Sequence, residues 1–254
     1  MKVLSMRKMS KARYKITLDN NSNLILYEEV IINNLILIGK QIDDDLYKKI
    51  ITDNYKATPY YAALQYINKR MRSREEIRTY LFKRSNDVSL IDETISRLVK
   101  EGYINDIAFA KAFINDKLNL SNDGPNKIRR SLTNYNIDEE TIYKLLLNID
   151  NQVVVDRIDK IIAKQVRLNT KYTGNILKLR IINYLVNLGY DSDIISERFD
   201  QYPLESSQNN IQKEYKKLYK KYIKKYSDYK LDMMVKQHLY KKGYERSEIE
   251  KIVK

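Results

Sequence analysis

Side chains able to perform covalent or metal chemistry are scarce in this chain of 254 residues, and their scarcity narrows its function. There is no cysteine, which removes disulfides, thiolate nucleophiles and every thiolate metal site. The single histidine, His238, stands in a helical pattern among Lys236, Leu239 and Lys241. One imidazole builds no metal cluster, and no nucleophile, base and orienting group can be assembled around it. Gly39-Lys40 looks like the end of a P-loop, but Asn34 takes the place of its first glycine and Gln41 that of its Ser or Thr. Asp43, Asp44 and Asp45 precede an apolar pattern where a helix N-terminus draws carboxylates, so they read as capping residues and not as a cation site. The expectation is a protein that is not an enzyme, with no catalytic residues, no metal and no cofactor.

Phosphate chemistry is what remains. Forty-seven Lys and Arg against 33 Asp and Glu leave a net charge of +14, a field that favours polyanions. The mix is rich in Lys, Ile, Asn and Tyr, which an AT-rich genome also produces, so clustering is more telling than the total. The densest cluster is Lys69, Arg70, Arg72, Arg74, Arg78, Lys83 and Arg84, with only Glu75 and Glu76 nearby in sequence. Planar guanidinium forks suit phosphate there. A second group, Lys127, Arg129 and Arg130, follows Gly124-Pro125, where backbone N–H groups of a helix start are expected to add to phosphate binding. A third lies in IQKEYKKLYKKYIKKY: Ile211, Tyr215, Leu218, Tyr222 and Tyr226 form an inward stripe, and Lys217, Lys220, Lys221 and Lys224 are among the lysines left outside. Residues 205–254 hold 14 basic and 7 acidic side chains, half of the net charge. Of the 22 tyrosines and four phenylalanines, Tyr60, Tyr66, Tyr80, Tyr103, Phe109 and Phe113 fall at helical spacing and are expected in a core rather than as stacking surfaces for bases.

The elements that must hold these cations are mostly helical. RYKITLD, a polar Asn20-Asn21-Ser22-Asn23 turn and LILYEEVIINNLIL predict a β-hairpin, and the stretch after Asp43 a short helix. From residue 57 onward helix starts recur at Thr58-Pro59, Ser73 with Glu76 as a capping box, Asp87, Asn105, Asp123-Gly124-Pro125, Asp138 and Asp191. Four segments align without gaps at 77–91, 128–142, 181–195 and 235–249. Each has an aliphatic residue four before a leucine and an isoleucine ten after it, the leucines being Leu81, Leu132, Leu185 and Leu239. Gly189, Gly243 and Asn136 occupy the same turn position, where a helix end calls for positive φ. The predicted fold is mainly α: tandem three-helix repeats in an elongated, curved array, with a small N-terminal β-hairpin extension. The expected domains are the extension at 1–56 and repeats at 57–104, 105–150, 151–204 and a lysine-rich 205–254. No run of 18 apolar residues and no signal-peptide core occur, so a cytoplasmic protein with no membrane partner is expected.

The segments ALQYINKRMRSREEIRTYLFKR (63–84), ISRLVKEGYINDIAFAKAFINDK (95–117) and GPNKIRRSL (124–132) resemble, in order and spacing, the RecX family of bacterial regulators of the RecA recombinase. RYKITLD followed by GKQIDDD is similar to an extension of longer members from Gram-positive bacteria. Ser85 and Asn86 depart from a glycine often found after the first repeat's Leu-x-x-Lys, and Asn122-Asp123 precedes Gly124; both leave the first loop's shape open. The resemblance implies tandem three-helix repeats and binding to the RecA filament on single-stranded DNA. It implies inhibition or modulation of strand exchange, ATPase and coprotease activity, in recombination, repair and the SOS response. The partners expected are RecA with single-stranded and double-stranded DNA, and the chain is expected to be a monomer. On the residues alone, a general nucleic-acid-binding repeat protein without a RecA target, or a scaffold for an acidic protein, stays open.

Overall fold

The computed structural model describes residues 1–169, 171–199 and 208–253, so the expected boundary at 204/205 lies outside the described residues. The chain forms two compact units, 1–112 with 133–138, and 113–132 with 139–254.

The first unit opens with an antiparallel sheet in the order β1 (Val3–Lys8), β2 (Arg13–Leu18), β3 (Asn23–Tyr27). The expected hairpin is β2–β3, but its second strand ends at Tyr27, and Glu28–Asn33, part of the stretch read as strand, is helical. The added strand, VLSMRK, buries only Val3 fully and is held mainly by backbone pairing, including Val3 N–H to the Lys40 carbonyl at 3.0 Å and Gly39 N–H to the Val3 carbonyl at 2.9 Å. One sheet face turns Ile16, Leu18, Leu24 and Leu26 into a core with α1 (Glu28–Asn33) and the first half of α2 (Asp44–Ile67). Asp43 caps α2 by accepting from Leu46 N–H at 2.8 Å.

Helix α2 differs from expectation. It does not break at Thr58-Pro59 but runs through Pro59, so the anticipated boundary at 56/57 falls inside one helix. An interior proline costs a helix roughly 3 kcal/mol. Burial on both sides of it offsets that cost: Ile50 and Ala57 belong to the sheet core, while Tyr60 and Ala63 belong to the core of the first repeat. That repeat is completed by α3 (Arg74–Phe82) and α4 (Val88–Lys100).

Arg97 of α4 ties the two cores together. Its guanidinium donates to both Glu29 oxygens at 2.9 and 3.0 Å, donates from Nε to Glu101 at 2.8 Å, and lies 3.8 Å from the Tyr60 ring centroid. Tyr60 O–H donates to Glu101 at 2.5 Å. Tyr60 meets Tyr61 edge-on, and Tyr61 stacks on Tyr27 of β3 at 4.3 Å. Burial and the Glu101 carboxylate push the Tyr60 hydroxyl pKa up, and hydrogen bonds from Tyr60 and then Arg97 hold the Glu101 carboxyl below its ordinary value.

The remaining repeats are α5 (Asp106–Leu120), α6 (Pro125–Asn134), α7 (Glu139–Leu147); α8 (Asn151–Leu168), α9 (Gly174–Asn187), α10 (Ser192–Phe199); and α11 (Gln208–Tyr222), α12 (Asp228–Lys242), α13 (Arg246–Glu250). Every position of the repeat register is buried: Ile77, Leu81, Ile91, Ile128, Leu132, Ile142, Ile181, Leu185, Ile195, Val235, Leu239 and Ile249 are at most 3% exposed. The turn residues take the left-handed conformation, with φ of 56° at Asn136, 91° at Gly189 and 98° at Gly243. Ser85 in the first repeat does not, in keeping with its departure from glycine. His238 packs inside the last repeat, where Nδ1–H donates to the Met234 carbonyl at 3.0 Å and Nε2 accepts from Tyr222 O–H at 2.8 Å. Tyr60 and Phe109 are core residues as expected, but Tyr103 is half exposed because its turn directs it outward.

Within the second unit the turn of one repeat seats on the start of the previous repeat's second helix. Gly124 N–H donates to the Leu188 carbonyl at 2.7 Å and Asn126 N–H to the Gly189 carbonyl at 3.0 Å. A Cβ on Gly124 would lie 2.7 Å from the Gly189 carbonyl, and one on Gly189 would strike the Lys127 backbone. The next joint repeats the pattern: Thr173 N–H donates to the Lys242 carbonyl at 2.8 Å, and a Cβ on Gly243 would collide with the Thr173 carbonyl.

Two stability measurements follow from these contacts. Gly189→Ala combines a left-handed φ, worth about 1–2 kcal/mol against an L-residue, with a backbone collision, so its urea denaturation should show a destabilisation beyond that figure. Glu101→Gln should lower the urea midpoint at pH 7 by an amount corresponding to about 1–2 kcal/mol, the contribution of a hydrogen-bonded ion partner at a partly exposed site. The folded Glu101 pKa is depressed, so this difference is complete above the unfolded carboxyl value of about 4.3 and should be lost as pH falls through the lower folded one.

Candidate nucleic-acid interface

Helix α3 begins with the predicted capping box: Ser73 Oγ accepts from Glu76 N–H at 3.1 Å, and the Glu76 carboxylate accepts from Ser73 N–H at 3.2 Å. That cap brings the first cationic cluster together and also occupies much of it. Glu76 takes Arg70 at 2.5 Å and Arg72 at 3.2 Å. Arg74 donates from its backbone to Asp106 at 2.8 Å and pairs with the same carboxylate through its side chain at 3.5 Å. Arg78 pairs with Asp92 at 2.6 Å. The acids near in sequence, Glu75 and Glu76, therefore understate neutralisation, because Asp92 and Asp106 are supplied by α4 and α5.

Arg72 and Arg84 have a further role that spacing did not reveal. Tyr66 and Tyr80 stack at 4.1 Å with an interplanar angle of 5°, and Arg72 and Arg84 each lie 3.7 Å from the centroid of Tyr66 and Tyr80 respectively. Two arginines and two tyrosines thus form one column across α2 and α3, and the Arg72 side chain is 10% exposed. Lys69 and Lys83 are exposed and, among the described residues, enter no ion pair, and the Arg84 guanidinium donates to the Tyr80 carbonyl at 2.9 Å.

The second cluster is corrected in one respect. The N–H groups at the start of α6 do not await phosphate, since Gly124 and Asn126 donate to the Leu188 and Gly189 carbonyls of the next repeat. Lys127 is held by Asp123 at 2.7 Å, which also takes Lys117 at 3.1 Å. Burial raises the Asp123 pKa, but the two ammonium groups outweigh it and hold the carboxyl below its usual range. Arg129 and Arg130 are exposed on α6, and Arg130 donates from Nε to the Asn126 carbonyl at 3.3 Å.

The third cluster keeps its charge in solvent. Ile211, Leu218 and Tyr222 are buried with Tyr215 and Tyr226 packed beside them, so the stripe faces inward. Lys217, Lys220, Lys221 and Lys224, together with Lys213, Lys216 and Lys225, are exposed and enter no ion pair among the described residues. The exception on this helix is its acid, Glu214, which pairs with Lys242.

Other cations were missed because their partners are remote in sequence. Arg180 lies over Tyr172 at 3.8 Å with Lys171 nearby at 5.2 Å. Arg157 is structural: it donates to the carbonyls of Leu118, Ser121 (2.7 Å) and Asp123 (3.3 Å) and to the Tyr190 hydroxyl at 3.2 Å. Among the described residues no cluster of His, Asp and Glu is arranged to hold a metal, and no helix is long and apolar enough to cross a membrane.

Comparison with known proteins places this architecture. Residues 60–98 match the description "RecX, first three-helix domain" and residues 105–146 "RecX, second three-helix domain". The Regulatory protein RecX of Bacillus subtilis is 30% identical over 258 residues, covering 98% of this chain and 96% of its own. That of Halalkalibacterium halodurans is 28% identical over 256 residues, with 98% and 96% covered. A crystal structure of a regulatory protein RecX superposes with a TM-score of 0.65 at 22% identity, covering 77% of this chain and 98% of that one. RecX from Lactobacillus salivarius gives 0.55 at 23%, covering 59% and 97%; both solved structures share the fold. With repeat register, paired family domains and near full-length relatedness all in agreement, the chain belongs to the RecX family of regulatory proteins.

Proposed function

We propose that this protein binds the RecA filament on single-stranded DNA and restrains strand exchange, ATPase and coprotease activity by occupying the filament. It acts by mass action and not by chemistry, as a monomer, with each repeat of the array serving as one unit of attachment. Family membership supports RecA as the target. The observation that carries the DNA half is the lysine face of α11, whose cations enter no ion pair among the described residues and are held outward by the buried Ile211, Leu218 and Tyr222 stripe. Lysines of this kind give positioning, sequence-blind phosphate contacts. The same face also favours the second reading, a nucleic-acid binder with no recombinase target.

Addition of the protein to a RecA strand-exchange and ATPase assay should inhibit both below equimolar amounts, and no inhibition at equimolar protein would remove the RecA reading. A general nucleic-acid binder would act equally on strand exchange by an unrelated recombinase.

For the DNA-binding half, replacing Lys217, Lys220, Lys221 and Lys224 with Gln should weaken single-stranded DNA binding. The slope of log affinity against log salt should become shallower by roughly 0.7 for each phosphate that is no longer neutralised. Helicity should be unchanged, since these side chains are exposed. Lys69 and Lys83 are the cleaner positions to test in the first repeat. Arg72→Ala would break the tyrosine column and remove a guanidinium from Glu76, so it should lower stability as well as affinity.

A further inference from the structure

The N-terminal sheet carries cations that no ion pair among the described residues neutralises. Its first 27 residues hold the cations Lys2, Arg7, Lys8, Lys11, Arg13 and Lys15 against one acid, Asp19. Strand register sets Arg7 directly opposite Lys15, and Lys15 opposite Ile25. Arg13, two residues from Lys15 on the same strand, lies opposite Tyr27. The alternate residues Met6, Ile16 and Leu24 face the core, so Arg7, Lys15 and Arg13 share the outward face with the neighbouring row Ser5, Thr17 and Asn23.

Like charges directly opposite on an antiparallel pair are destabilising. Arg7 and Lys15 are nevertheless paired across the sheet, and among the described residues none of the six cations enters an ion pair, whereas four arginines of the α3 cluster do. Arg13 in addition buries its Nε without a hydrogen-bond partner. A ligand that supplied negative charge along this face would relieve the opposition of Arg7 and Lys15.

We propose that the outward face of the N-terminal sheet binds the phosphate backbone of a single-stranded nucleic acid, at a place separate from the lysines of the repeats. It deepens the function proposed above and rests on it for the identity of the polymer. Three features favour nucleic acid over lipid or an acidic protein. Arg13 and Lys15 stand about 7 Å apart along one strand with Arg7 beside Lys15 on the next, a row of cations suited to successive phosphates. The adjoining row of hydroxyl and amide groups suits phosphate and sugar oxygens. Ile25 is the one large apolar side chain in these two rows, too little for insertion into a membrane surface.

The test uses the full chain and a labelled oligothymidylate in a fluorescence anisotropy titration across salt, without recombinase. Lys15→Glu sets an acid opposite Arg7, so the melting temperature should equal or exceed the parent's. Binding should weaken, and the salt slope should become shallower by roughly 0.7 per phosphate released from the sheet. A gain in stability with a fall in affinity is what a ligand-directed charge gives and a structural one does not. If Lys15→Glu binds DNA as the parent does while the quadruple Gln variant of α11 is weakened, the sheet site is overturned and the broader function stands. Failure of the unaltered protein to bind DNA would overturn both. A lowered melting temperature, or a defect confined to RecA capture with DNA binding unchanged, would also overturn the sheet site.

Discussion

The structure depends on one repeated joint, in which a left-handed turn is pressed against the first residues of the preceding repeat's second helix. At Gly124 and Gly189 the two backbones approach too closely for a Cβ on either side, and Thr173 and Gly243 repeat the arrangement. Such an approach satisfies helix-start N–H groups that would otherwise need a side-chain cap or a ligand. At the start of α6, which lies among cations, it uses the Gly124 and Asn126 N–H donors inside the fold. At these two joints main-chain hydrogen bonds fix one repeat on the next, and the seat admits no side chain at the glycines.

Charge is divided by residue type. Arginines do most of the internal work: Arg70, Arg72 and Arg78 neutralise carboxylates, Arg97 joins two cores, Arg157 gathers three carbonyls and Arg198 holds Asp159 at 2.6 Å. The planar fork and weaker hydration of guanidinium suit half-buried, multidentate positions. Lysines of α11 stay in water, where a strongly hydrated ammonium on a flexible stem is at little cost and remains available to a polyanion. Lys117, Lys127, Lys144 and Lys242 are exceptions, each paired with a nearby acid.

Much of the fold was legible because burial follows local periodicity. All twelve positions of the repeat register, the Ser73–Glu76 box and the positive φ at Asn136, Gly189 and Gly243 were readable from spacing and residue type. The first strand was not, since VLSMRK lacks alternation and is fixed by pairing with β2 and the 39–42 loop. Nor was the continuity of α2, because Thr58-Pro59 looks like a helix start until the cores on either side are seen to overrule it. The candidate site was legible only as composition. Which cations face solvent is decided by Asp92, Asp106 and Tyr66, whose proximity to the α3 cluster is tertiary, and by the rows of the sheet, whose register no residue count contains.

The seating of each turn on the repeat before it has a consequence for how the polypeptide is made. During synthesis a repeat emerges from the ribosome with the start of its second helix still uncovered, and the covering turn arrives only when the following repeat has been translated. At the two joints of the second unit, closure therefore waits only for the next repeat. Because both of these closing interactions lie between consecutive modules, neither awaits a distant segment, which limits the time the apolar seams there spend exposed during synthesis.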